Sequence, residues 1–467
     1  MKLTLENVLK NTDNSRADQI RMVLNMSVPA ILAELTSIAM QYIDAGMVGS
    51  LGANATGAIG LVTSSTWLVG GVCIGLSTGF SVQVAQLIGA GKNKAASDVL
   101  RQALTVLLCM GLLICALGIS ISRSLPYWLG GGVDIAGDAG TYFLIFSASI
   151  PFSLMRQLSG AMMQCSGDMK TPSILSAAVC LLDVIFNMVL IFPTREVQIF
   201  GKAMTIPGAG LGVTGAALGT AAAEVVISLI MLYAVCIRNK KINIRGKGSW
   251  KWQKNIIKTA VKIAVPLSLD QIFMCSAYVV GTIIVAPLGT AAVAANSLAV
   301  TAESLCYMPG YGIGHAATAI IGQTIGAGRK DLTRSFSRVS VYLGIIMMAL
   351  MGVLMYFLAP AVFSLLTNDP KVAQLGTEVL RTELFAEPLY GASICCAGVF
   401  RGAGDTLVPS IMNLASMWCV RIVLAWIIVP VMGLKGYWLA MCIELCVRGI
   451  IFLIRMYSGR WQKKSLI

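Results

Sequence analysis

The chain repeats itself, and no other feature narrows its possible folds as much. Pro29 returns 237 residues later as Pro266, Leu51-Gly52 as Leu288-Gly289, and Gly75 as Gly312. Gln86-x-Ile88-Gly89-Ala90-Gly91 returns as Gln323-x-Ile325-Gly326-Ala327-Gly328, and Gly167-Asp168-x-x-x-Pro172-Ser173-Ile174 as Gly404-Asp405-x-x-x-Pro409-Ser410-Ile411. Pro151 and Pro193 return as Pro388 and Pro430. The register holds without a gap from 28 to 193. Beyond it Gly215 matches Gly436, so the first copy carries a 16-residue insertion between 194 and 211. Two copies of one architecture, if they lie in a membrane, point to a transporter with its site between the copies.

The membrane setting follows from composition. Apolar residues make up 57% of the chain and charged residues 12%, against about 25% charged in soluble domains. Runs near 20 apolar residues, long enough to cross about 30 Å of hydrocarbon as helix, recur at roughly 26–48, 60–88, 98–121, 138–166, 172–193, 211–237, 259–287, 293–325, 338–360, 375–401, 409–431 and 434–455. Counted in order as helices 1 to 12, they fall six to a copy. An even number gives both copies the same orientation, so the relating axis runs along the membrane normal. The expected fold is an all-α polytopic membrane protein of twelve transmembrane helices in two six-helix lobes related by a pseudo-two-fold. The expected divisions are an N-terminal segment (1–25), an N-lobe (26–237), a linker (238–258), a C-lobe (259–456) and a tail (457–467).

Basic residues set the orientation. Lys and Arg number 26 over the termini and the even-to-odd connections, 6 over the opposite connections, and 3 inside helices, namely Arg156, Arg421 and Arg448. That bias puts both termini in the cytoplasm. It accounts for the net charge of +14 as topogenic charge facing anionic lipid, not nucleic-acid binding. No cleavable signal pattern precedes the first span. The 13 cysteines are scattered without a C-x-x-C pair, so neither a metal site nor a disulfide framework is expected.

A charge inside the hydrocarbon costs about 2.5–3.5 kcal/mol on insertion scales, so each one needs a reason. Asp44 lies in helix 1, 16 residues from the inner-end Val28; Asp183 lies in helix 5, 11 residues from Pro172, with Asn187 four residues further on the same face. At the rise of an α-helix, the three sit within about 8 Å in depth. If helices 1 and 5 are neighbours they form one polar cluster, able to bind a proton or a small hard cation such as Na⁺. The second copy does not duplicate it, because Asp44 corresponds to Gly281, Asp183 to Val420 and Asn187 to Leu424. It carries Glu387 in helix 10 and Arg421 in helix 11, 14 and 12 residues from their inner ends, a depth match that permits an ion pair or a substrate contact. Asp270, Glu303 and Glu34 lie nearer helix ends, and Glu34 could neutralise Arg156. Gln41 and its repeat partner Tyr278, with Met274 near it, are candidates for a substrate cleft suited to soft cationic ligands.

Two motif matches carry no chemistry. The Gly-Ala-Gly-Lys/Arg segments at 89–92 and 326–329 lack the phosphate-loop pattern and read as helix terminators. Gly75-Leu76-Ser77-Thr78-Gly79 matches G-x-S-x-G inside an apolar helix, not at a strand–helix turn.

Taken together, Pro29 to Gly52 with Asp44, the paired Gln-x-Ile-Gly-Ala-Gly helix ends, Arg401-Gly402-Ala403-Gly404-Asp405-Thr406 with Pro409, and Arg421 resemble the multidrug and toxic compound extrusion (MATE) family over about residues 20–460. The resemblance implies two six-helix lobes in a V that open alternately to either side, and an antiporter exporting organic cations against H⁺ or Na⁺ entry. Two departures stand out. One branch of the family has an acid in helix 7 where this chain has Met274. Another has Asn then Asp four residues later in helix 5, where the order here is Asp183 then Asn187. H⁺ is favoured as the coupling ion because the cluster shows few of the six or so oxygen ligands a Na⁺ would want. No cofactor is expected, and a monomer in the cell membrane is.

Two other functions compete. A flippase for lipid-linked sugars predicts a strongly cationic cleft, which three intrahelical basic residues do not supply. An intramembrane hydrolase would use Ser77 as nucleophile and His315 as base; Thr78 and His315 are repeat mates, which places those two groups in opposite lobes.

Overall fold

The computed structural model describes residues 5–10, 15–199, 202–246, 248–463 and 466. The first lobe contains helix 1 (Arg16–Gly49), helix 2 (Ala53–Gly89), helix 3 (Asn93–Ile121), helix 4 (Val133–Cys165), helix 5 (Lys170–Leu190) and helix 6 (Gly212–Tyr233), which runs on into a π turn, Ala234–Arg238. The second contains helix 7 (Lys254–Val285), helix 8 (Thr290–Gly326) and helix 9 (Lys330–Leu366). Helix 10 follows in two pieces, Pro370–Glu383 and Glu387–Gly402, joined by a 3₁₀ turn. Helix 11 begins as Leu407–Ala415, passes through a π segment, Ser416–Ile422, and continues to Gly433. There a φ of 59° and ψ of −142° break the chain direction before helix 12 (434–458), a conformation that only glycine adopts without strain.

Nine described helices are long and apolar enough to cross a membrane, with helices 11 and 12 counting together as one. Helices 8 and 10 are not among them. Helix 8 is filled with small and polar residues, and helix 10 is broken in two. Pro388 opens the second piece of helix 10, while its repeat mate Pro151 sits inside an unbroken helix 4. Proline withholds an N–H in both places; only the second copy spends it on a break.

The lobes pack through equivalent surfaces. Helix 2 lies on helix 7, helix 8 lies on helix 1, and helices 2 and 8 cross. Within the lobes helix 1 packs against helix 5, and helix 7 against helix 11. The Gly-Ala-Gly turns, the connection between the lobes, the short helix Leu5–Lys10 and Leu466 share one end of the molecule, called the basic end below.

Three expectations change. Helix 1 starts at Arg16, capped by Ser15, whose hydroxyl accepts from the Asp18 N–H at 3.1 Å. Hydropathy marks only the part of a helix that lies in hydrocarbon, so the polar first turns were not counted. Residues Leu5–Lys10 form a short helix of their own, with Leu5 and Val8 buried. The 16-residue insertion folds as an antiparallel hairpin, Pro193–Ile199 with Lys202–Ala209, pairing Glu196 with Thr205. Parts of the expected segments 1–25, 238–258 and 457–467 fall outside the described residues.

The connection between the lobes is strapped to helix 3. Arg101, 2% exposed, donates to the Gly246 carbonyl at 2.6 Å and the Ile244 carbonyl at 3.4 Å, and pairs with Asp98 at 2.7 Å. The Gln253 N–H donates to Gln102 Oε1 at 2.9 Å, and the Ser249 N–H to Asp98 at 3.2 Å. Arg101→Met removes the charge-assisted bonds, each worth about 1.5–3 kcal/mol. Trypsin cleavage at Lys240, Lys241, Arg245 or Lys251 is therefore expected to run about tenfold faster in the variant. An unchanged digestion rate would show that the strap holds without Arg101.

Candidate functional site

Helices 1 and 5 bring Asp44, Asp183 and Asn187 into one cluster. Asn187 Nδ2 donates to Asp44 Oδ1 at 3.0 Å and to Asp183 Oδ2 at 3.1 Å, so a single amide bridges two carboxylates. Asp183 and Asn187 are buried and Asp44 is half-buried. Helix 6 closes the far side. Its Gly219 lies so near Asn187 that an added Cβ would stand 3.1 Å from the Asn187 backbone nitrogen and nearer still to its side-chain oxygen. Asp183 Oδ1 and Asn187 Oδ1 are buried without a hydrogen-bond partner among the described residues. Buried polar oxygens are rarely left so. Two carboxylates within reach of one amide, with acceptor oxygens to spare, can share a proton or hold a small hard cation.

In the second lobe Glu387 and Arg421 do not pair, contrary to the depth match. The Arg421 guanidinium lies over the rings of Tyr278, at 5.8 Å, and Tyr437, at 5.6 Å, and touches the Met441 sulfur. Both carboxylate oxygens of Glu387 are buried without a hydrogen-bond partner among the described residues, and so are those of Glu383, one turn earlier. Depth supplies one coordinate of a side chain and not its direction around the helix axis. Arg421 sits in the π segment of helix 11, which changes that direction, and it reaches toward helices 7 and 12.

The ion pairs that do form join other residues. Arg448 is held by Glu444 one turn before it on helix 12, with Nε to Oε1 at 2.7 Å, and Ser416 donates to the same oxygen at 2.7 Å. Arg156 pairs with Glu224 on helix 6 at 2.6 Å, not with Glu34. Glu34 instead faces His315 across the lobe boundary at 3.5 Å. The second lobe also has an acid–amide pair: Asn413 Nδ2 donates to both oxygens of Asp270, at 3.1 and 3.2 Å.

Among the described residues, two cavities that share part of their lining lie between the lobes. One, of about 310 Å³, is lined by Glu34, Ser77, Arg156, His315 and Arg401 among others. The other, of about 160 Å³, is lined by Asp270, Met274, Asn413, Arg401 and Arg448 among others. Ile74, Thr78 and Arg401 line both. Of the three proposed cleft residues, Met274 lines a cavity. Gln41 is exposed on helix 1 and lines neither, and Tyr278 sits beneath Arg421. Ser77 and His315 share the larger cavity, but the Ser77 hydroxyl donates to the Cys73 carbonyl at 2.9 Å and His315 faces Glu34. No nucleophile–base contact is formed.

Glu224, Asn413 and Glu444 have no role in the sequence reading, and Arg401 enters it only within the segment 401–406. Helix 10 carries Arg401 into the cleft, where it lines both cavities. Glu444 and Arg448 are four residues apart in one apolar helix, a spacing that puts opposite charges side by side.

Known proteins share this architecture. The family model MatE matches residues 29–189 and 266–427, once per lobe. A probable multidrug resistance protein NorM of Thermotoga maritima is 24% identical over 448 residues, covering 95% of this chain and 94% of its own. The multidrug resistance protein MdtK of Yersinia pestis is 24% identical, with 96% of each chain covered. Among solved structures, a MOP superfamily transporter from Pyrococcus furiosus superposes with a TM-score of 0.86 at 20% identity, covering 96% of this chain and 97% of that one. A mutant of the Vibrio cholerae MATE transporter VcmN gives 0.86 at 19%, covering 97% and 99%. With both halves of the repeat matched, the chain belongs to the MatE family of multi-pass membrane transporters, which are not enzymes.

Proposed function

We propose that this protein exports organic cations across the cell membrane in exchange for H⁺, by alternating access of the central cleft, with both termini in the cytoplasm. Asp44, Asp183 and Asn187 form the coupling site. The observation that carries this reading is the single amide bridging a buried carboxylate, Asp183, and a half-buried one, Asp44. The multidrug resistance names of the relatives agree with it. H⁺ is preferred to Na⁺ because two carboxylates and one amide supply fewer oxygens than a hard cation of this kind collects.

The polarity of the cleft supports cation export over transport of lipid-linked diphosphates. Arg156 and Arg448 are each neutralised by a glutamate, and Glu34 and Asp270 line the same cavities as Arg401. A diphosphate would meet acids on both sides. Small organic cations are the expected substrates and surrounding lipid the partner of a single chain.

The test exchanges the helix 5 side chains. Asp183→Asn/Asn187→Asp keeps one acid and one amide facing Asp44 but moves the charge about 6 Å along the axis. A proton site tolerates that shift; a cation cage with fixed oxygen distances does not. The exchange is expected to keep efflux driven by a pH gradient in proteoliposomes, while Asp183→Asn alone lowers it about tenfold. Full activity of both would leave coupling to Asp44 alone, and a Na⁺-driven, pH-insensitive wild type would reverse the choice of ion.

A further inference from the structure

Gln86 and Gln323 are repeat mates, and so are Cys165 and Gly402. The structure ties these four residues into two equivalent bonds, each crossing between lobes. Gln86 Nε2, on helix 2, donates to the Gly402 carbonyl at the end of helix 10 at 3.2 Å. Gln323 Nε2, on helix 8, donates to the Cys165 carbonyl at the end of helix 4 at 2.7 Å. Gln86 is 0% and Gln323 1% exposed.

The acceptors explain why the bonds form. Cys165 and Gly402 are the last residues of their helices, where a carbonyl has no N–H four residues on to receive. Each of these two helix ends therefore presents a carbonyl without a helical partner at the basic end, and the other lobe supplies its donor. Helices 2 and 8 come close enough for this only because both glutamines face glycines. A Cβ on Gly89 would stand 2.7 Å from the Gln323 Cα, and one on Gly326 would stand 2.8 Å from the Gln86 Cα.

The four residues also lie where a gate must lie. The interlobe cavities stand to one side of them, with Arg401 at the boundary. On the other side, a cavity lined by Gly89, Gly91, Lys241 and Ala327 faces the basic end. Gln86 has one further partner: its Oε1 accepts from the Leu466 N–H at 2.9 Å, so the end of the chain braces the same crossing.

We propose that Gln86 and Gln323 are the paired latch of the transport cycle at the basic end, closed in this structure and released when the lobes part there. The inference rests on the transport reading above. Opening exchanges two protein hydrogen bonds for bonds to water at a wetted mouth, and the net value of such an exchange is small. The latch therefore biases the equilibrium without locking it. The two bonds are equivalent under the repeat, so the two glutamines contribute alike through them, and Gln86 adds its bond from Leu466.

Cys165 reports the latch directly. It lines the larger interlobe cavity and is 4% exposed while the lobes are closed, so the rise of its alkylation above the wild-type rate in the purified protein, followed by peptide mass spectrometry, measures opening. Gln86→Ala is the informative single variant, because Gln86 touches Gly402 and not Cys165. It is expected to speed Cys165 labelling about fivefold, Gln323→Ala by a similar factor, and the double variant about 30-fold. Cys306, 0% exposed in the core of the second lobe, should stay unlabelled. If Cys306 labelling rises too, the alanines have loosened the fold, and Gln86→Asn/Gln323→Asn, which keeps the amides but draws them back by one methylene, decides. A rise confined to Cys165 in that pair supports the latch; no rise, or an equal rise at Cys306, overturns it. Wild-type labelling in a well-folded double alanine variant also overturns it. Opening without any efflux by the wild-type protein would count against the transport reading and leave the latch standing.

Discussion

Asp44→Asn is expected to abolish the resistance that the expressed protein confers to toxic organic cations, with membrane abundance within about twofold of wild type. The separation of those two effects is the point of the experiment. Asn187 Nδ2 donates to Asp44 Oδ1, and an asparagine at 44 still offers a carbonyl oxygen there, so the bridge across helices 1 and 5 can persist. What vanishes is a titratable carboxylate, half-buried and without a basic partner among the described residues. Removing a buried carboxylate that only served structure would leave transport intact or stabilise the fold, because its desolvation is no longer required. Removing one that carries the coupling ion leaves a transporter that cannot use the gradient. The inhibitory concentration of a lipophilic quaternary amine should fall about tenfold or more, to that of cells lacking the protein. Resistance equal to wild type would end the assignment of coupling to Asp44.

The helix 1–helix 5 cluster could be read from sequence because two kinds of information met there. Counting residues from a helix end gives depth, and the four-residue spacing of Asp183 and Asn187 gives a shared face; that helices 1 and 5 are neighbours is supplied by the structure. Glu387 and Arg421 had depth alone. Nothing local announces that 416–422 forms a π segment or that Gly433 adopts a positive φ, and these features decide where Arg421 points. The β-hairpin at 193–209 was visible only as an insertion, since a gap in a repeat says where chain is added and not what shape it takes.

The glutamine latch shows a different limit. The repeat aligned Gln86 with Gln323 and Cys165 with Gly402, but identity of position says nothing about which positions meet. The pairing follows from how helices 2 and 8 cross, and that follows from the docking of the lobes. Arg101 is a similar case: as one of many basic residues near a helix end it reads as topogenic charge, while the structure uses it to hold the connection between the lobes. Charge counting finds the side of the membrane and not the partner.

Glu444 and Arg448 give the second large effect, on folding and not on transport. Both are buried, and Glu444 Oε1 receives Arg448 Nε at 2.7 Å and the Ser416 hydroxyl at 2.7 Å. Glu444→Ala strands the guanidinium of Arg448 next to Arg421, the other buried cation of this lobe, which gains nothing from the loss. Breaking a buried pair on one side costs about 3–5 kcal/mol, because the remaining charge stays desolvated. On the scale of whole-protein stability that is a large fraction, so Glu444→Ala should lower the yield of monodisperse protein several-fold and its melting temperature by several degrees. Glu444→Ala/Arg448→Met removes both charges and fills the space with an apolar chain of similar length. It should recover most of the lost stability, and since the pair contributes one edge of the smaller cavity through Arg448, any change that persists in the double variant should appear in substrate affinity and not in abundance. A double variant as unstable as Glu444→Ala would mean that Arg448 is held by contacts other than this carboxylate, and that the partial charges of the Ser416 hydroxyl and the neighbouring tyrosines suffice to keep a guanidinium inside the second lobe.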